Sequence, residues 1–549
     1  MRANFIPVCT LLAGLILSVS HHAAATETAT AAGLYYQTKT PYLPQQSLAT
    51  YQAVPAGYRA VHTQMLARHG SRGLTGPKSD LALYSLWLLA QKEGALTALG
   101  SKLGPDIFQL MQTHALLGYG IKGISKPGYG NESQQGIDEH LQLAERMYQR
   151  LPALFHAAAD TTGLADTADT TLARKIMVLT SGKDRAVDSG YFFVQSLIRQ
   201  QASLQKLIVY PPSLAPAAEQ DHQSRPLGTD RFLLYFHKLS ATQDKVSDPG
   251  DPLFATYEAS QAYQRYNKSS ELRSKEEAVL SQPQLAVAAQ VVLQALFKPD
   301  FIAALEQGKY RVSNTGSYSF TSSDGKFTAT LRGDGDTEIN SAVDAALAVY
   351  DLYSAAADMQ AELKSDFKAY IMPGQARVFA TAHDGLSFYG KGPGMTEHAD
   401  VTYRMAGSLL KDFFDELDAV AKSDRSHVAK LRFAHAETVI PMASLLGLKG
   451  MASQLPGNTL YDYANNPWRG ELVAPMAANI QWDAYRNAQG HMLVKMYYNE
   501  KESHFKPACD AAQISPGSFY YDYAGLKNCY LKQLPGLSGL SGLSIAKGK

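Results

Sequence analysis

Two arginines flank a histidine in Arg68-His69-Gly70-Ser71-Arg72, and that grouping suits a dianion. Guanidinium forks stay charged and match phosphate oxygens in bidentate fashion, so they can hold a phosphoryl group while its bonds change. An unprotonated imidazole between them stands where a nucleophile would attack phosphorus, and Gly70 allows close backbone approach beside it. A second stretch, Ser181-Gly182-Lys183-Asp184-Arg185, opens a helical pattern that puts Arg185 and Ser189 on one face. A helix start binds anions through its free N–H groups, and Arg185 adds a third cation. A third stretch, His435-Ala436-Glu437, supplies another imidazole and a carboxyl group. His435 can donate to a phosphate oxygen. Glu437, if kept protonated by apolar neighbours and phosphate charge, can give its proton to a departing alcohol. Read singly, each stretch also fits a solvated turn or an acid residue at a helix start. Together they contain a nucleophile, fixed cations and a proton donor.

The elements that must position them read as strand, turn and helix. Residues 58–67, 175–180 and 430–434 are largely apolar and β-prone, and each runs into one of the three polar stretches. Ligands of open α/β sheets bind at the C-terminal ends of strands, which is where these residues fall. Residues 491–498 form a fourth strand candidate. Residues 284–305 and 340–363 are Ala-rich with helical periodicity, and 310–331 alternate around Asp324-Gly325, a two-residue hairpin turn. The expected fold is α/β, a mixed, mostly parallel central sheet flanked by helices with a mainly helical inserted lid. Its expected division is core over 26–210, lid over 211–372, core again over 373–533 and a tail over 534–549.

The three stretches are similar to the motifs of the histidine acid phosphatases, within the histidine phosphatase superfamily, branch 2. Arg68 to Arg72 resembles their nucleophile motif and Ser181 to Ser189 their distal arginine segment. His435-Ala436-Glu437 resembles the form in the multiple inositol polyphosphate phosphatase, phytase-like branch, where the sister phytases carry His-Asp. Pro475-Met476-Ala477-Ala478-Asn479 and Tyr497-Tyr498-Asn499-Glu500 extend the resemblance toward Cys529. The resemblance implies His69 as nucleophile, phosphate binding by Arg68, Arg72, Arg185 and His435, and Glu437 as proton donor and later base. It implies no metal or cofactor, with an inositol polyphosphate such as phytate as leading substrate. A broad acid phosphatase, a sugar phosphatase and an inactive phosphate-binding protein are the alternatives. Leu74 stands where the family usually has proline, which loosens the turn behind Arg72. Lys78, Lys122 and Lys126 are candidates for substrate contacts.

The chain has 549 residues, 45% hydrophobic and 18% charged, with a formal charge of +1. That composition fits a large core and offers no strongly basic face for nucleic acid or a membrane surface. Arg2, the apolar run 6–19 and Ala23-Ala24-Ala25 form a signal-peptide pattern over 1–25, so a periplasmic or secreted monomer without membrane attachment is expected. Of three cysteines, Cys9 lies in that leader. Cys509 and Cys529 would pair in an oxidising compartment, two free thiols being the alternative. The Gly118-to-Gly123 stretch has dinucleotide-fingerprint spacing without a preceding strand, and the loop from Asp334 has Ile339 where a calcium loop needs glycine.

Overall fold

The apolar runs that end in the polar motifs all become strands of one eight-stranded sheet. The structure is a computed structural model, and it describes residues 33–160, 174–210, 230–424 and 426–534. The expected leader, the start of the lid at 211 and all of the tail after residue 534 lie outside those residues. Across the sheet the strands run Lys501–Ser503, Met492–Tyr498, Asn479–Arg486, Arg59–Arg68, His427–Ala434, Lys175–Thr180 and Ile208–Val209, with Tyr520–Asp522 also paired to Met492–Tyr498. The central strands are mostly parallel. Arg59–Arg68 and Lys175–Thr180 both lie parallel to His427–Ala434, while the side beyond Asn479–Arg486 is antiparallel.

This order decides where the chemistry goes. Arg68 is level with Ala434, and Thr180 with Phe433, so the residues after all three strands emerge at one edge. The strand read last along the chain sits between the two read first.

Helices cover both faces. Met65, Ala67, Ile176, Val178, Leu431 and Phe433 point into a core closed by helices Gln134–Arg150, Pro152–Ala159 and Asp184–Gln200. Leu66, Leu179 and Ala434 point the other way, into a larger core shared with helices Ser79–Lys92, Gly100–Leu116, Pro283–Leu296 and Ala342–Ala356. Alternation along each strand therefore feeds two cores, as a sheet buried on both faces requires. Lys430 and Arg432 interrupt the apolar pattern yet are buried, because helix Gly407–Ala421 brings Asp412 to both and Glu416 to Lys430.

The Ala-rich runs form helices Pro283–Leu296 and Ala342–Ala356, separated by the hairpin Ser317–Thr321 with Thr328–Arg332. Its connection is longer than the expected two-residue turn. Ser322 N–H donates to Phe327 O at 2.8 Å, and Gly325 takes the left-handed position, φ 72°, inside a six-residue loop closed by Ser322 and Phe327. Asp324 shapes that loop by accepting from Ser322 Oγ and Lys326 N–H. Cys509 and Cys529, 20 positions apart in sequence, form a disulfide with Cα atoms 5.7 Å apart. A loop of that length gives about 3 kcal/mol in the chain-entropy picture. Among the described residues no single helix is long and apolar enough to cross a membrane.

Candidate active site

His69 follows the last residue of strand Arg59–Arg68 and is 2% exposed. Its Nδ1 lies 2.9 Å from the Gly70 carbonyl, which can only accept, so Nδ1 carries the proton and Nε2 keeps its lone pair. Burial first, then Arg185, Arg68 and Arg72, hold the imidazole well below its ordinary pKa. The ring stays unprotonated, and nucleophilic, into acid.

The loop is fixed from several sides. A Cβ on Gly70 would lie 2.5 Å from Gly136 O, so glycine is needed here for close packing on helix Gln134–Arg150. The His69 carbonyl accepts from Ala477 N–H at 3.0 Å, and Ala477 has φ 50°, a left-handed conformation that costs a non-glycine residue of order 1 kcal/mol. The Pro475-to-Asn479 stretch thus anchors the His69 loop through its backbone. Tyr497-to-Glu500 acts further away: Glu500 accepts from Arg146 and from Tyr42 Oη.

Three buried carboxyl groups form the floor beneath this loop, and nothing in the local sequence marks them. Glu132 accepts from Gly70 N–H at 2.9 Å and from Ser189 Oγ; Glu139 accepts from Ser71 N–H at 2.8 Å. Ser71 Oγ lies 2.7 Å from Glu139 Oε1 and 3.0 Å from Asp358 Oδ1. One hydroxyl has one proton, so one of those two carboxyls must be protonated to satisfy the contact. Burial pushes Asp358 well up and Glu139 to about 7, in keeping with a shared proton.

Above the floor the three guanidiniums converge. Arg68 donates through Nη1 to the carbonyls of Thr38 and Ala474, and Arg72 through Nη1 to Gly73 O at 2.7 Å. The Nε atoms of Arg68, Arg72 and Arg185 are buried without a protein partner, as is Nδ1 of His435. Buried cationic donors left without acceptors in one place point to an anion as their partner. Burial, with mutual repulsion adding to it, lowers Arg72 to about 9; burial likewise lowers Arg68 to about 10, yet both remain cations at neutral pH. Arg185 sits in the first turn of helix Asp184–Gln200, with Ser189 one turn on, as the pattern implied.

His435 is the N-cap of helix Ala436–Leu446, its ring centroid 5.5 Å from that of His69. Ser181 Oγ sits 2.8 Å from His435 Nε2 and fixes the ring while Nδ1 points free. Glu437, in the first turn of that helix, does not have the apolar surroundings expected to keep it protonated. Its Oε1 lies 2.9 Å from Lys391 Nζ, and its side chain is 35% exposed. Burial alone raises this carboxyl, but Lys391, His237 and His435 outweigh burial and hold it well below the usual carboxylate range. The structure therefore brings His69, Arg68, Arg72, Arg185, His435 and Glu437 into one electrostatic neighbourhood. Lys391, His237 and Tyr235 join them unannounced by any motif; the Tyr235 ring is 5.8 Å from that of His435. Of the other candidates, Lys78 faces Asp334 at 3.9 Å, and Lys122 and Lys126 are exposed. Leu74 packs against the larger core, and a Cβ on Gly73 would meet His114 at 2.6 Å, so this turn is held by packing without the family proline.

A sheet edge carrying a bare imidazole among guanidiniums defines a class, and the chain belongs to it: residues 61–499 match the histidine phosphatase superfamily, branch 2. Among solved structures it is similar to the multiple inositol polyphosphate phosphatase of Bifidobacterium longum. In that protein's complex with inositol hexasulfate the identity is 32% and the TM-score 0.76, covering 90% of this chain and 97% of that one. The complex with phosphate gives 31% and 0.78, covering 91% and 98%. The Gallus gallus multiple inositol polyphosphate phosphatase 1 is 25% identical over 178 residues, 30% of this chain and 38% of that protein. The chain thus matches well under half the length of that curated relative.

Proposed function

We propose that this chain hydrolyses phosphomonoesters of inositol polyphosphates through a phosphohistidine on His69. The observation that carries this is the unprotonated Nε2 of His69 ringed by three guanidiniums with unpartnered Nε atoms. Arg68, Arg72, Arg185 and His435 bind the phosphoryl oxygens. Nε2 attacks phosphorus, the ester P–O bond breaks, and the Glu437 carboxylic acid protonates the leaving oxygen. Water then attacks phosphorus, giving its proton to the Glu437 carboxylate as the P–N bond breaks and His69 is released. Because Glu437 must be protonated for the first step, activity favours acidic pH. The complex of the similar Bifidobacterium longum enzyme with inositol hexasulfate supports an inositol polyphosphate as substrate. The Cys509–Cys529 disulfide supports the exported, periplasmic or secreted location that belongs to the same reading.

Phosphate release from inositol hexakisphosphate and from glucose 1-phosphate tests the substrate class. The expected kcat/KM is at least about tenfold higher for the former, since each further phosphate held at the rim adds binding energy of the order of an ion pair. Equal values would mark a broad acid phosphatase, and no release from either would mark a phosphate-binding protein.

A further inference from the structure

A proton donor held as a carboxylate cannot donate, and among the groups that hold Glu437 that way the one in direct ion-pair contact is a flexible lysine. Lys391 follows helix Pro373–Gly390, its own N–H bonded to Ser387 O at 3.0 Å. Its ammonium meets Glu437 at 2.9 Å with 24% of the side chain exposed, so the pair spans the boundary between the buried guanidinium cluster and solvent. The other titratable or charged groups facing Glu437 come from five places in the fold. They are His237 of the Phe236–Lys238 turn, Arg185, His435, Arg68 and Arg72 of the nucleophile loop, and Tyr263 of helix Phe254–Tyr266. The guanidiniums and His435 are buried and committed to the scissile phosphate. Lys391 is the partner that can leave, because its ammonium ends a flexible four-carbon stem and its side chain is partly exposed.

We infer that Lys391 arms the general acid: it pairs with Glu437 in the free enzyme and moves to a second phosphate of a polyphosphorylated substrate, leaving Glu437 to take a proton from solvent. The inference rests on the reading of Glu437 as general acid. A monophosphate offers one dianion, and the guanidiniums and His435 take it up, so nothing draws the ammonium away. A phosphate on a neighbouring carbon carries two negative charges against the single charge of the carboxylate and competes for Lys391 at the rim. Lys183, 5.2 Å over the Tyr235 ring, places a second ammonium near the same mouth. Once Lys391 has moved, the phosphate charge beside Glu437 favours its acid form. The proton gained from solvent then passes to the leaving alkoxide as the P–O bond breaks, and the water that hydrolyses the phosphohistidine restores it. Selectivity for polyphosphates thereby resides partly in kcat, beyond tighter binding alone.

The test compares Lys391→Met, Lys391→Arg and Glu437→Gln with the parent, on glucose 1-phosphate and inositol hexakisphosphate across pH. For the parent, the alkaline limb of kcat should lie higher with the hexakisphosphate than with the monophosphate. In Lys391→Met the monophosphate limb should move up by about one pH unit, the size of shift one removed charge gives. The ratio of kcat values between the two substrates should then fall about tenfold. Lys391→Arg, which keeps the charge, should retain the parent's ordering. Unmoved limbs and an unchanged ratio in Lys391→Met, with Glu437→Gln impaired, would overturn the arming role and leave the general acid standing. Loss of all activity in a folded Lys391→Met would overturn it too, by making Lys391 itself the donor. Full activity in Glu437→Gln would instead remove the reading on which the inference rests.

Discussion

Replacing His69 by alanine abolishes turnover, by about 10⁴-fold or more, while inorganic phosphate still binds within a few-fold of its affinity for the parent. The two halves of that result come from different atoms. Nε2 is the lone pair that forms the new bond to phosphorus, and nothing else at the sheet edge replaces it. The phosphate oxygens are gripped by Arg68, Arg72, Arg185 and His435, whose unpartnered Nε and Nδ1 atoms do not depend on the His69 ring. His69 is buried on a loop anchored through backbone atoms of Gly70, Ala477 and Ala434, so its truncation leaves the anchors in place. Titration of the variant with phosphate, beside steady-state rates, separates the outcomes. Lost binding together with lost turnover would mean that the ring holds the loop and serves no special chemistry.

The second large effect separates leaving groups. Glu437→Gln lowers kcat by about 10²- to 10³-fold for sugar or inositol phosphates, whose alkoxides leave poorly without a proton. p-Nitrophenyl phosphate suffers far less in the first step, because nitrophenolate leaves unprotonated. Hydrolysis of the phosphohistidine, which uses the Glu437 carboxylate as base, then becomes limiting, and a burst of nitrophenol is expected. Glutamine keeps the size of the side chain and gives up only its charge and proton, so the variant is not a test of folding. Equal losses for both esters and no burst would mean that Glu437 acts by charge alone.

The three motif-bearing strands were legible because each is a short apolar run ending in residues too polar and too clustered for an ordinary turn. That they share an edge was not. It depends on His427–Ala434 inserting between Arg59–Arg68 and Lys175–Thr180, a pairing that no local pattern encodes. Strand Asn479–Arg486 is not legible in the sequence, because its polar positions, Gln481 and Asp483, are buried and satisfied by Arg150, so its alternation resembles an exposed segment. Glu132, Glu139 and Asp358 lie in different helices and loops, and only the fold stacks them beneath one loop. Lys391 is a lone residue after a helix, 46 positions from its partner. With His237 and His435 it reverses the expected charge state of Glu437, because their combined pull outweighs burial.

Turnover by this route requires a covalent bond between phosphorus and His69, and rapid quenching detects it directly. Wild-type protein mixed with ³²P-labelled substrate and stopped within milliseconds in alkali should carry acid-labile, base-stable label on the peptide containing His69. Label that survives acid, label on another residue, or substrate turning over with no labelled protein at any time would exclude a phosphohistidine on His69.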